Sequence, residues 1–283
     1  KYKIRITSTK NPNISDKNNG LLTILRPSRW WKEDFSKWPS VSLGIEDDGA
    51  GTWGNFMSSW DNPANPYHVN VVGGSHPRRA GKQSIRFEVR PGQCGDGDCT
   101  RGNERSELAS RRFVPAPGSE GNGSESWYAW SIYFQNYKFA DGNSIHGQFN
   151  QKPVGADPSE GSGGCATCIL FFIMDSSGNL VTRFINFEGD RREVLIPRGQ
   201  LSNKWHDILV HAKWSTRSNG LFQVWVNGEL KVNQKGANFK QGNNPIRFKF
   251  GVYRSDLYLI SKNHTQIVYY DEVMRGNSCD DVS

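Results

Sequence analysis

A lysine, a glycine and a tyrosine occupy alternate positions of Arg247-Phe248-Lys249-Phe250-Gly251-Val252-Tyr253-Arg254. Strict alternation of this kind reads as a β-strand, with Phe248, Phe250 and Val252 on one face and Lys249, Gly251 and Tyr253 on the other. At about 3.3 Å per residue the cation and the phenol lie roughly 13 Å apart. The glycine between them leaves bare backbone against which a ligand can lie. A cation, a phenol and open backbone on one face suit the binding of a negatively charged sugar and proton transfer on it.

Two other segments carry complementary groups. In Ser144-Ile145-His146-Gly147-Gln148-Phe149-Asn150-Gln151-Lys152 an extended chain sets His146, Gln148 and Asn150 on one face. Histidine is suited to general base work near neutrality, and the amides can hold a carboxylate or hydroxyl, with Lys152 as a further contact. In Asn103-Glu104-Arg105-Ser106-Glu107-Leu108, Arg105 and Glu107 share a face. A guanidinium makes bidentate contact with carboxylates; Glu107 would orient Arg105 or pair with a neighbouring arginine. Asn103, Arg254 and His211 (of polar parity beside Lys213) complete the expected substrate contacts. Each segment, taken alone, also fits an ordinary exposed strand, a surface loop or a salt bridge on a sheet.

One motif competes. Glu188-Gly189-Asp190-Arg191-Arg192-Glu193 has the bare E-x-D-x-x-E spacing of some jelly-roll glycoside hydrolases, which need an acid and a nucleophile on one strand face. The Gly and Arg residues between the carboxylates would not pin such a strand to a core, and the segment reads as a charged turn.

These groups need a sheet to hold them. The chain has 283 residues, with ten Trp, nine Tyr and fifteen Phe for a large core and thirty Gly and thirteen Pro for turns. No amphipathic run of 3.6 period stands out, and apolar runs are too short to span a membrane. Alternating or apolar runs predict strands at Ser84–Arg90, Asn103–Arg111, Ser126–Phe134, Cys168–Met174, Leu180–Phe187 and Trp205–Trp214. Further strands are predicted at Leu221–Val226, Glu229–Val232, Ile246–Tyr253 and Gln266–Met274. Asn227-Gly228 marks a hairpin between two of them. Many antiparallel strands with turns between them give an all-β fold, a two-sheet jelly-roll sandwich. The whole of 1–283 reads as one domain, with 1–80 an irregular part packed on it.

The net charge of +7 favours polyanionic partners. Nucleic acid is disfavoured, because there is no dense basic block and no zinc, RRM or helix-turn-helix signature. Five cysteines (Cys94, Cys99, Cys165, Cys168 and Cys279) fit an exported protein with a local disulfide across Cys94 and Cys99. Cys279 is left free or paired with another. The first residues lack the apolar centre of a signal peptide, so export implies a signal already removed.

At this point the sequence resembles a known family. SWYAWSIYF, SIHGQFNQKP, KWHDILVHAKWS, GLFQVWVNGE, FKFGVYR and VYYDEV stand in the order expected of heparin lyase I-like polysaccharide lyases, over roughly the last two-thirds of the chain. NERSEL resembles the Arg-Ser-Glu-Leu strand of jelly-roll lyases, alginate lyases included. The resemblance implies a concanavalin A-like jelly roll with a concave substrate groove and metal-independent β-elimination of uronic-acid polysaccharides. Calcium would be structural at most; Asp271 could ligate it, as could the acidic residues of Glu46-Asp47-Asp48 or Asp96 and Asp98 in the cysteine-bracketed loop. The catalytic histidine then falls on His146, the tyrosine on Tyr253 and the preceding lysine on Lys249.

The residues flanking His146 depart from the family's usual Gln-Trp before and Pro-Asp after, so the resemblance carries lyase chemistry rather than heparin specificity. Arg105, Gln148 and Asn150 would neutralise the uronate carboxylate. His146 would take the C5 proton, and Tyr253 would protonate O4, with Lys249 lowering its pKa or holding the next sugar. Alternatively Tyr253 makes both transfers and His146 polarises the carboxylate. The expected enzyme is a secreted or periplasmic monomer acting on a heparin-like polymer, glucuronan, ulvan or alginate, without a catalytic cofactor and without membrane or nucleic-acid partners. The alternatives are a non-catalytic carbohydrate-binding jelly roll and a hydrolase using Glu188 and Glu193.

Overall fold

The computed structural model describes residues 67–92, 102–110, 119–138, 144–151, 168–184, 191–240, 245–254 and 264–282, with four short strands before them. Those four are β1 (Arg5–Thr7), β2 (Ser15–Lys17), β3 (Trp31–Glu33) and β4 (Phe56–Ser59). There follow β5 (Val69–Gly73), β6 (Gln83–Val89), β7 (Glu104–Ser110), β8 (Ser119–Glu120), β9 (Glu125–Gln135), β10 (Ser144–Asn150) and β11 (Cys168–Met174). The remainder are β12 (Leu180–Phe184), β13 (Arg191–Ile196), β14 (Trp205–Lys213), β15 (Leu221–Val226), β16 (Glu229–Lys235), β17 (Ile246–Arg254) and β18 (Gln266–Gly276). The expected all-β fold is what the chain forms. Arg191–Glu193, expected as a turn, opens the edge strand β13.

Two eight-stranded sheets make the sandwich. The first runs β13-β12-β11-β10-β17-β7-β4, with β8 beside β17; the second runs β16-β15-β14-β9-β18-β6-β5, with β3 beside β18. Neighbours such as β10 and β17, or β9 and β14, are far apart in sequence, so the chain crosses between sheets as a jelly roll does. The β15–β16 hairpin turns at Asn227 (φ 50°) and Gly228 (φ 83°), the pair of left-handed residues that an Asn-Gly turn supplies.

The core is aromatic. Phe149 and Phe248 lie with ring centroids 5.1 Å apart, and Tyr128 and Trp130 from the second sheet reach Phe149 and Phe172 at 5.0 Å each. Fully burying one such ring is worth about 1.5–3 kcal/mol. The two sheets differ in their outer faces. In β14 burial alternates residue by residue, as in a strand with one face in solvent. In β17 every residue is buried except Tyr253, and in β10 every residue except Asn150. The central strands of the first sheet therefore carry closely packed side chains on both faces.

Gly251 has a structural role that differs from the expectation. Its φ is +136°, and an added Cβ would come within 2.3 Å of the Ser106 carbonyl oxygen and 2.7 Å of the Glu107 Cα. The space expected for a ligand is taken by β7. Gly251→Ala is expected to destabilise the protein by about 3 kcal/mol, from a strained backbone and a backbone clash. A shift in denaturation midpoint corresponding to less than about 1 kcal/mol would contradict this.

Candidate active site

The site is built on β7, β17 and β10, adjacent in the first sheet. Register places Tyr253 opposite Arg105 and Ile145, Gly251 opposite Glu107, Lys249 opposite Gln148, and Arg247 opposite Asn150. Directly paired residues share a face, and Phe248, Phe250 and Val252 turn the other way into the core. The alternation read from sequence therefore holds along β17.

Glu107, fully buried, is the centre of the polar group. Its carboxylate accepts hydrogen bonds from Gln148 Nε2 at 2.6 Å, Lys249 Nζ at 2.8 Å and Arg105 Nη1 at 3.2 Å. Three donors, two of them cationic, compensate an anion that burial alone would make costly. Burial pulls the Lys249 ammonium down to about 7 against the opposing pull of Glu107; Arg105 and Arg247 push it the same way as burial. Above this floor the Arg105 guanidinium lies 4.0 Å from the centroid of the Tyr253 ring. Tyr253 also packs on Ile145, Ile173 and Val181. A partly exposed phenol is thus held from below by apolar side chains and from one side by a cation.

His146 is placed elsewhere. The ladders on both sides of β10 shift register between Ile145 and Gly147. At this bulge Ile145 joins the Tyr253 cluster, and His146 turns inward, 1% exposed, edge-on to Phe134 of the second sheet at 4.9 Å. Its Nε2 lies 2.8 Å from Ser144 Oγ, and burial lowers its pKa to about 3. The imidazole stays neutral and faces the core, so it does not share a face with Gln148 as the unbroken alternation implied. Tyr270 of β18 fixes this geometry: its hydroxyl contacts the carbonyl oxygens of His146 and, at 3.1 Å, Gly251.

Two expected substrate contacts also change place. Arg254 is fully buried, paired with Glu104, and donates to the His264 carbonyl oxygen at 3.0 Å; it falls on the core side of β17. His211 lies on the second sheet, stacked on Trp127 at 4.1 Å and bonded to Gln223 and Glu125. It cannot line the same surface as Tyr253. Asn103 immediately precedes β7 and is partly buried, and Asn150 keeps partial exposure opposite Arg247. Arg247 is a further residue of this face, set beside Lys249 by the alternation of β17.

Asp271 does not suit calcium. Its oxygens accept backbone N–H groups from Arg79, Ala80 and Glu272 at 2.8, 3.0 and 2.9 Å. That is a cradle of donors, whereas calcium needs a cage of oxygens. Among the described residues no group of three or more His, Cys, Asp or Glu is arranged to hold a metal. Cys279 is a free thiol. Lys152, Glu188, Asp190, the acidic stretches 46–48 and 96–98, and Cys94, Cys99 and Cys165 lie outside the described residues. Glu193 is exposed on β13.

A cavity of about 470 Å³ opens on the outer face of the second sheet, lined by Ala129, Leu209, Trp225, Met274 and the mutually bonded Arg79 and Asp207. The groups fitted for acid–base work are on the other sheet. Among the described residues no helix is long and apolar enough to cross a membrane.

Comparison with known proteins agrees with the fold. The model of a family described as polysaccharide lyase matches residues 31–274. An endo-β-1,4-glucuronan lyase from the fungus Trichoderma reesei superposes with a TM-score of 0.60 at 17% identity, covering 90% of this chain and 98% of its own. The alginate lyase Aly36B superposes with a TM-score of 0.54 at 13% identity, covering 87% and 95%. At such identities the likeness is one of fold. No curated protein matches the sequence.

Proposed function

The chain belongs to the polysaccharide lyase family, and on that premise we propose that it cleaves a uronic-acid polysaccharide by β-elimination at Tyr253. The observation that carries this reading is the placement of Tyr253. It is the one residue of β17 with partial exposure, beneath the Arg105 guanidinium and on the same face as buried Lys249 and Gln148.

In this mechanism Arg105, opposite Tyr253 in the register, faces the uronate carboxylate and stabilises the charge that spreads onto it when the C5 proton leaves, while Lys249 and Gln148, further along the same face, hold the neighbouring sugar. Tyr253, as phenolate, takes that proton. The C5–H electron pair becomes the C4=C5 double bond, the C4–O4 bond breaks, and O4 leaves with the proton from the tyrosine. Arg105, 4.0 Å from the ring, stabilises the phenolate between these transfers. One residue serves as base and acid, so no histidine is required in the groove. Glucuronan and alginate are the favoured substrates, ahead of heparin-like polymers and ulvan. The similar solved structures act on the first two, and the Glu107 carboxylate, which accepts from Lys249, Arg105 and Gln148, offsets part of the positive charge that dense sulfate would need.

The test is ultraviolet absorbance of the unsaturated uronate while the protein is mixed in turn with glucuronan, alginate, ulvan, heparan sulfate and heparin. A rise on glucuronan or alginate is the expected outcome. New reducing ends without absorbance would replace the lyase by a hydrolase.

Lys249 gives a pH signature. With a pKa of about 7 it is charged below pH 7 and neutral above it. The charge holds the carboxylate of the neighbouring sugar and draws the polyanion into the groove, so kcat/KM should fall above pH 7. Lys249→Arg keeps a charge at all working pH values and should abolish this limb. A limb unchanged in that variant would remove Lys249 from the mechanism.

A further inference from the structure

We propose that Arg183 and Arg192 form a second carboxylate-binding subsite, holding uronate units of the polymer on the β13 side of the bond being broken; this rests on the lyase reading above. The register of the first sheet carries the argument. Lys249 is opposite Gln148, Gln148 opposite Phe171, Phe171 opposite Arg183, and Arg183 opposite Arg192. Directly opposite residues in antiparallel strands share a face, so both arginines project from the same face as Lys249 and Gln148. The row from β17 to β13 crosses four strand spacings, about 19 Å at roughly 4.8 Å each, a span that accommodates several sugars.

Exposure rises along this row. Lys249 and Gln148 are 5% and 4% exposed, Arg183 is half-buried, and Arg192 is open at the sheet edge. A chain bound at its deep end leaves over the open end. A neighbouring row on the same face, Tyr253, Ile145, Ile173, Val181 and Val194, is apolar apart from the phenol. A uronate has the matching division, with a carboxylate on one edge and C–H groups on its ring faces. Directly opposite each other on one face, the two guanidinium groups can both donate charge-assisted hydrogen bonds to one carboxylate lying across them.

The experiment compares wild type with an Arg183→Gln/Arg192→Gln double variant on the polymer that wild type cleaves and on size-fractionated oligomers of it. KM for the polymer should rise about tenfold with kcat within about twofold, the loss expected for charge-assisted contacts. The difference should disappear on the shortest oligomers cleaved. Arg183→Lys/Arg192→Lys, which keeps the charge, should recover most of the affinity. An unchanged KM for the polymer, or an equal loss at every length in variants with wild-type melting temperature, overturns the subsite. Electrophoretic retardation in gels cast with each polymer reads the same contribution without catalysis. A wild type that retards but cleaves none of the polymers defeats the lyase reading and leaves the subsite to be judged on the retardation of the variant.

Discussion

Tyr253→Phe is expected to lower kcat on the cleaved uronan about a thousandfold, with KM within about threefold and melting temperature unchanged. The substitution removes one oxygen and leaves the ring. The ring is what packs on Ile145, Ile173 and Val181 and lies under Arg105, so the fold and the cationic environment persist. The hydroxyl is what both proton transfers require. A loss in kcat with KM retained is the pattern of an interaction made in the transition state alone. His146→Ala is the companion variant. It removes a buried ring packed against Phe134 and should cost about 2–4 kcal/mol of stability, in the manner of other large-to-small core changes. Residual activity measured well below its melting point should stay within about tenfold of wild type. A Tyr253→Phe enzyme of near-normal kcat, or a thousandfold loss in a stably folded His146→Ala enzyme, would transfer the base to the histidine.

Glu107→Ala should be almost as damaging for a different reason. The carboxylate accepts from Gln148, Lys249 and Arg105 at once. Deleting one partner of a buried ion pair typically costs about 3–5 kcal/mol, because the remaining charge is left uncompensated. Here two cations and an amide lose their common acceptor, and Arg105 is no longer held over Tyr253. A drop in kcat/KM of about a hundredfold is expected, accompanied by loss of stability. Glu107→Gln separates position from charge. It keeps the shape, but the pull that raises the Lys249 pKa is gone while burial still lowers it. The alkaline limb of the kcat/KM profile should then move below pH 7. A limb that stays at about 7 would show that Glu107 does not govern the lysine.

The legible part of this site was what a period of two can convey. Along β17 and between Arg105 and Glu107 the β7–β17 ladder runs without a shift, and alternation gave the true faces. The same alternation put Arg254 with Phe248, Phe250 and Val252, on the core side. Its charge made it look like a groove residue, but the core side there holds Glu104 to pair with it. His211 was assigned the correct parity, yet parity does not say which sheet a strand joins, and β14 joined the second. His146 was misplaced because a bulge adds one residue to a strand without altering its composition. The exchange between β7 and Gly251 is likewise a long-range contact, with nothing local to announce it beyond the glycine itself.

The slip in β10 also means that this strand holds two possible displays of the same side chains. Continued without interruption from Gln148, it would set His146 opposite Gly251 on the groove side, bring Ser144 across from Tyr253, and send Ile145 inward. The displayed arrangement is secured from behind by Tyr270, whose hydroxyl reaches the carbonyls of His146 and Gly251 from the opposite sheet. Whether an imidazole or an aliphatic chain meets the sugar beside the phenol is therefore a matter of chain registration, controlled by a residue that never touches substrate. Divergence between histidine-assisted and tyrosine-only elimination in such a scaffold would need no change of catalytic residue, only a shift of one position in how neighbouring strands count against each other.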